Sequence, residues 1–165
     1  MHKQNFTEAV EDILKKDSRY DRDSYYFVRE GLDFTLKMLK KQTHTDPLHR
    51  HVSGQELLEG LRRYTLDQFG PMAKSVLDYW GVHQCADFGE IVFNLVEKNV
   101  LGKTEQDSRE DFKGGFDFED AFVKPYLPAP RAHRRPAHVR AAAHAEHGRE
   151  QARSSGSHKL NSGSN

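Results

Sequence analysis

Cys85 stands with His83 two residues before it and Asp87 two after, and nowhere else does the chain set a thiol, an imidazole and a carboxylate so close together. Attack by a thiolate needs a base at hydrogen-bond distance, normally supplied from a separate element, so nearness in sequence does not make a dyad. No flanking pattern of a nucleophile surrounds Cys85, and it reads as a structural residue. As a lone cysteine it closes no intramolecular disulfide and excludes four-cysteine and Cys2His2 zinc sites.

His44, His49 and His51 are a second candidate, for transition-metal binding. An extended His49-x-His51 segment puts two imidazoles on one side, and Asp46 would supply a third ligand. A metal needs three or four convergent ligands, however, and a histidine in a loop equally caps a carbonyl, so these are weak candidates. Gly114-Gly115 lacks the following lysine and helix of a phosphate-cradling loop. With no catalytic motif found, the expectation is a non-enzymatic protein that carries no cofactor.

Charge is the next source of chemistry. The chain has 25 basic and 25 acidic residues, but they are unevenly placed. Up to Leu127 there are 18 basic and 23 acidic residues, and from Pro128 onward 7 and 2. Arg131, Arg134, Arg135 and Arg140 make that C-terminal stretch a basic arm suited to nucleic acid or an acidic surface. Its apolar content is too low to offset ordering costs of about 1–2 kcal/mol per residue, so 128–165 is expected to be a disordered Pro/Ala/Arg/His/Ser-rich tail. Five irregularly spaced histidines in it suggest adventitious metal contacts. Within the body, Arg62, Arg63 and Lys74 are the basic cluster that would touch phosphate, although the acidic residues around them argue against it.

Asp17, Arg19, Tyr20, Asp21, Arg22 and Asp23, followed by Tyr25 and Tyr26, form a polar junction. Arginine and tyrosine are favoured at interface hot spots, so Arg19, Tyr20, Arg22, Tyr25 and Tyr26 are the candidate partner-binding residues. The competing reading is a charged helix–helix turn that caps and solvates itself.

Helices must position these groups. Phe6, Val10, Ile13 and Leu14 mark one face of a helix from an Asn5 cap to about Asp17. A longer stripe of Tyr25, Val28, Leu32, Leu36 and Leu39 runs from Asp23 to about Lys41. Ser53 and Glu56 have capping-box spacing ahead of a third helix, which Gly70-Pro71 stops. A short fourth helix, marked by Met72, Val76, Leu77 and Trp80, closes at Gly81. The fifth is expected from an Asp87 cap to about Asn99. Val100–Thr104 and Phe112–Phe118 then read as two strands around a polar turn, and Phe118 and Phe122 as one helical turn packed on the core.

The expected fold over residues 1–127 is thus mainly α with a small C-terminal β-hairpin (α+β), and its order of elements resembles a winged helix. Asp17-Ser18-Arg19-Tyr20, Arg50-His51-Val52-Ser53-Gly54-Gln55-Glu56-Leu57, Phe69-Gly70-Pro71-Met72-Ala73, Trp80-Gly81 and Asp87-Phe88-Gly89-Glu90-Ile91-Val92-Phe93 resemble a conserved family described in planctomycetes and verrucomicrobia. The resemblance covers about residues 5–126. It implies a compact intracellular domain and carries no catalytic residues across, since that family has no assigned activity; the basic tail departs from its pattern.

No apolar run approaches the roughly 18–20 residues of a membrane-spanning helix, and the start lacks a signal-peptide core, so a cytoplasmic location is expected. The function expected first is a protein–protein interaction module. The alternative is a nucleic-acid-associated winged-helix-like protein with a basic arm, and the third reading is a metal-binding protein using the His44–His51 loop.

Overall fold

A computed structural model describes residues 5–43 and 51–130. The elements below all lie in the unit Met1–Leu127. His44 and His49, like Arg131, Arg134, Arg135 and Arg140, lie outside the described residues, as does nearly all of the stretch expected to be disordered.

Two of the capping signals, at Asn5 and Ser53, translate directly into helix starts. In α1 (Phe6–Lys16) the Asn5 side chain accepts from the Glu8 N–H and the Glu8 carboxylate reaches back to the cap, burying Ala9, Val10 and Ile13. The same reciprocal box, Ser53 with Glu56, opens α3 (Gly54–Phe69) and points Leu57, Leu58 and Leu61 inward. Between them α2 spans Arg22–Thr43. A 3-10 turn at Gly70–Met72 leads into α4 (Ala73–Tyr79), followed by α5 (Cys85–Glu97) and the short α6 (Phe118–Phe122).

Helices α2 and α3 pack closely because small residues meet at the crossing. A β-carbon on Gly60 would lie 2.7 Å from the Thr35 Cβ and 2.8 Å from its Cγ2. Thr35 is fully buried, and its hydroxyl donates to the Gly31 carbonyl at 2.7 Å, within its own helix. Around this crossing Phe27 packs on Tyr64, Phe69 and Trp80, with ring centroids 4.9, 5.5 and 5.2 Å away. Helix α5, with seven buried residues of thirteen, is the central element.

The β-hairpin is not there. No strand occurs among the described residues, and without wing strands the winged-helix likeness falls too. Asn99 adopts φ 57° and the Val100 N–H bonds back to the Leu95 carbonyl at 3.2 Å, so the chain turns off the end of α5 instead of extending. Asp107 then accepts the N–H and hydroxyl of Thr104, and Asp111 the N–H of Ser108, closing two local turns where a strand partner would have been needed. Arg109–Phe112 is a 3-10 turn. Its Phe112 is buried so close to Gly89 that a β-carbon on that glycine would stand 2.7 Å from the Phe112 Cβ. A two-stranded hairpin alone is marginal in water, and these caps and aromatic anchors outcompete it. Phe118 and Phe122 do pack inward as a helical turn, with ring centroids 5.2 Å apart.

Helix α5 also starts earlier than its sequence suggests. Asp87 is not the cap but the third residue of the helix, and its Oδ2 accepts the N–H groups of His83 and Gln84 at 2.9 and 3.1 Å. No described helix is long and apolar enough to cross a membrane.

Candidate functional site

The α1–α2 junction is held by one carboxylate. The Asp17 N–H closes α1 on the Ile13 carbonyl, and the Asp17 side chain then folds the next residues back on itself. It accepts the Arg19 N–H at 3.1 Å and the guanidinium at 2.9 and 2.8 Å in a two-pronged pair. Asn94 of α5 adds a donor at 3.2 Å and gives another to the Tyr25 hydroxyl at 3.2 Å. The Arg19 hydrogen bonds, outweighing burial, hold the Asp17 carboxyl down at about 2, and the same pair raises the guanidinium. Arg19 also reaches Glu90, which Arg109 joins at 3.3 Å, so the junction is strapped to α5 by alternating charges.

The tyrosines divide by burial. Tyr20 is 3% exposed and donates to Asp87 Oδ1 at 2.8 Å; burial first, and then that carboxylate, push its phenol up. Tyr25 is fully buried, and burial raises its phenol as well. Neither ring is available at the surface. Tyr26 is half-buried, packs edge-on against Phe6 and donates to Thr7 at 3.2 Å. Of the five partner-binding candidates, the arginines remain outward: the Arg19 side chain is 57% exposed, and that of Arg22, paired with Glu11, is 53% exposed.

Those two arginines border an open groove of about 450 Å³. One side is Ser18–Arg22 and the other is the end of α4, Asp78–Gly81. The two sides are joined where the Asp21 N–H donates to the Trp80 carbonyl at 3.0 Å. Gly81, at φ 80°, lets the Arg19 carbonyl come so close that a β-carbon would overlap it. Tyr79 stands on the rim with 80% of its surface in solvent. Sequence reasoning missed Tyr79, although the inward set Val76, Leu77 and Trp80 already leaves it on the outer face of α4. It also missed Asn94, Asp107 and Arg109, polar residues whose partners lie far away in sequence.

The other candidates do not converge on a site. His83 Nδ1 lies 3.0 Å from Asp78, while the Cys85 sulfur is buried, donating to the Phe116 carbonyl at 3.3 Å and accepting its N–H at 3.4 Å. Burial pushes that thiol up, the opposite of activation. Arg62 and Arg63 both bond Glu59, whose carboxyl they hold at about 2, and Lys74 bonds Asp78. These cations sit in pairs along their own helices and form no basic face. His51 meets Asp107 at 2.9 Å, and no group of three or more potential metal ligands occurs among the described residues.

The described fold is an all-α domain whose polar junction opens onto a groove. No family model, curated protein or solved structure matches the chain.

Proposed function

We propose that this protein is a non-enzymatic interaction module that binds another protein through the groove between the α1–α2 junction and the end of α4. The observation that carries the reading is Tyr79, 80% exposed on a rim shared with Arg19 and Arg22. A solvated aromatic ring beside arginines is the composition that binding hot spots favour, because each residue offers large contact area and directed donors at once. The groove is also prepared in advance. Arg19 is held by Asp17 and Glu90, so little of its side-chain freedom remains to be lost on binding. A cytoplasmic site of action goes with this reading, since a single buried thiol suits a reducing compartment.

The test is site-specific photocrosslinking in cells of the source organism, with a photoreactive phenylalanine at position 79 or at Lys37. Lys37 is exposed on α2, about 22 Å along the helix from Arg22. A discrete protein adduct is expected from position 79 alone, and its loss on Arg19→Ala/Arg22→Ala. Equal adducts from both positions would overturn the proposal. So would a nuclease-sensitive adduct that depends on residues 128–165, which would favour the basic arm.

A further inference from the structure

Apart from Tyr79 in the groove, the large apolar side chains that stand exposed among the described residues are Met72, Tyr126 and Leu127, with 60, 45 and 57% of their surface in solvent. They come from two turns of one design. Gly70–Met72 and Lys124–Tyr126 are both 3-10 turns, and in each a proline, Pro71 or Pro125, directly precedes the exposed apolar residue. The Tyr126 hydroxyl lies 3.8 Å from where a β-carbon on Gly70 would stand, so the second turn is laid against the first, and Leu127 follows at once. Each proline fixes its own backbone dihedral beside the apolar residue, which leaves little backbone freedom there to be lost on binding.

Carboxylates edge this apolar patch. Asp67 is exposed in the last turn of α3, three residues before Gly70. Asp117, Glu119 and Asp120 are exposed at the start of α6, which packs against both α4 and the Lys124–Tyr126 turn. Lys124 is the cation of that turn, and it is already paired with Asp120. The Asp120 bond, with the charges of Asp117 and Glu119 added, raises the pKa of its ammonium. On α4, Lys74 and Asp78 offset each other at 2.8 Å.

From this arrangement we propose that Met72, Tyr126 and Leu127 form a docking surface for a basic amphipathic segment of a partner protein, its apolar side chains on the patch and its lysines or arginines against Asp67 and Glu119. Removing the exposed methionine, tyrosine and leucine from water supplies the attraction, and the charges choose the occupant. A second copy would bring the same carboxylates together, and residues 1–127 carry 18 basic against 23 acidic side chains. An anionic membrane surface or an acidic segment would be repelled in the same way. Arg19 and Arg22 of the groove take no part in this surface, and neither proposal depends on the other.

The chain has three methionines, Met1, Met38 and Met72, so NMR of methyl-labelled methionine reads the patch directly, with Met38 on α2 as the internal reference. The full chain is titrated with a leucine–lysine peptide of about 14 residues, its leucines on one helical face, and with the matching leucine–glutamate peptide. The lysine peptide is expected to give a saturable shift of the Met72 methyl, to leave Met38 unmoved and to bind about tenfold more tightly than the glutamate peptide. Leu127→Ser should weaken that binding about tenfold through lost apolar contact. Asp67→Asn/Glu119→Gln should weaken it about threefold to tenfold and make it less sensitive to salt. These three side chains are exposed and cap no helix, so both variants should fold. No saturable shift at Met72, equal shifts at Met38 and Met72, equal affinity for the two peptides, or variants that bind as the parent does would each overturn the proposal. So would a Met72 shift that follows protein concentration without peptide, which would assign the patch to a second copy.

Discussion

The carbonyl oxygen of Arg19 rests against the α-carbon of Gly81, at a place where any side chain would overlap it. Gly81 has φ 80°, in the left-handed region, and the atom it faces is backbone and cannot swing aside. Gly81→Ala therefore combines conformational strain with a steric clash, at a cost of about 2–4 kcal/mol. Urea denaturation should show a lower midpoint with an unchanged slope. An alanine variant as stable as the parent would mean that the two sides of the groove are not locked together here.

Gly60→Ala should be comparably harmful, for a packing reason. The new methyl would enter the Thr35 side chain, and thermal unfolding should drop by several degrees. Thr35→Ala removes the hydroxyl and the methyl but keeps the Cβ, itself 2.7 Å away. The double variant should accordingly recover part of the loss, a coupling of about 0.5–3 kcal/mol between residues in contact.

Tyr20→Phe keeps the buried ring and removes only the donor to Asp87. That carboxylate retains the His83 and Gln84 N–H groups on its other oxygen, so the expected loss is about 1–2 kcal/mol. Tyr20→Ala, which also empties core space, should cost about 3–5 kcal/mol. Equal losses would show that the ring alone matters.

Acid should weaken the junction. The Asp17 carboxyl is held at about 2 in the fold, below its unfolded value near 3.9, so its stabilisation is complete above about pH 5. It is lost as the pH falls through about 4 toward 2, and is of order 1–2 kcal/mol. Asp17→Asn should be less stable at pH 6 and should flatten the stability profile over that window. Glu59 is also held at about 2, but its side chain is 40% exposed and its pairs are screened, so Glu59→Gln should alter the profile much less.

How far the fold could be read from the chain depends on how local each cause is. Asn5 with Glu8 and Ser53 with Glu56 act over three residues, and both caps form as their spacing requires. The stripe from Tyr25 to Leu39 and the pair Phe118–Phe122 were legible because helical periodicity is itself a local property. The segment 100–116 was not. Its alternating aromatics and glycines fit a strand pattern, but a strand needs a partner, and the choice went to the turns at Thr104–Asp107 and Ser108–Asp111 and to the seat that Gly89 offers Phe112. Asp87 fails as a cap for a similar reason, since the N–H groups of His83 and Gln84 and the hydroxyl of Tyr20 settle where α5 begins.

The candidate site divides the same way. Residue types alone singled out Arg19 and Arg22, because charge and hydrogen-bonding capacity belong to the side chain wherever it sits. Which tyrosine faces solvent was decided by packing: Asp87 and Asn94 satisfy the hydroxyls of Tyr20 and Tyr25 and allow their rings into the core. Tyr79, which comes from a helix more than fifty residues further along, meets those arginines only because Asp21 bonds the Trp80 carbonyl and Gly81 admits the Arg19 backbone. The sequence by itself determined the apolar stripes of the helices, the Asn5 and Ser53 caps and the charges available. The tertiary structure decided which groups face one another, because long-range pairing and burial have no signature in residue spacing.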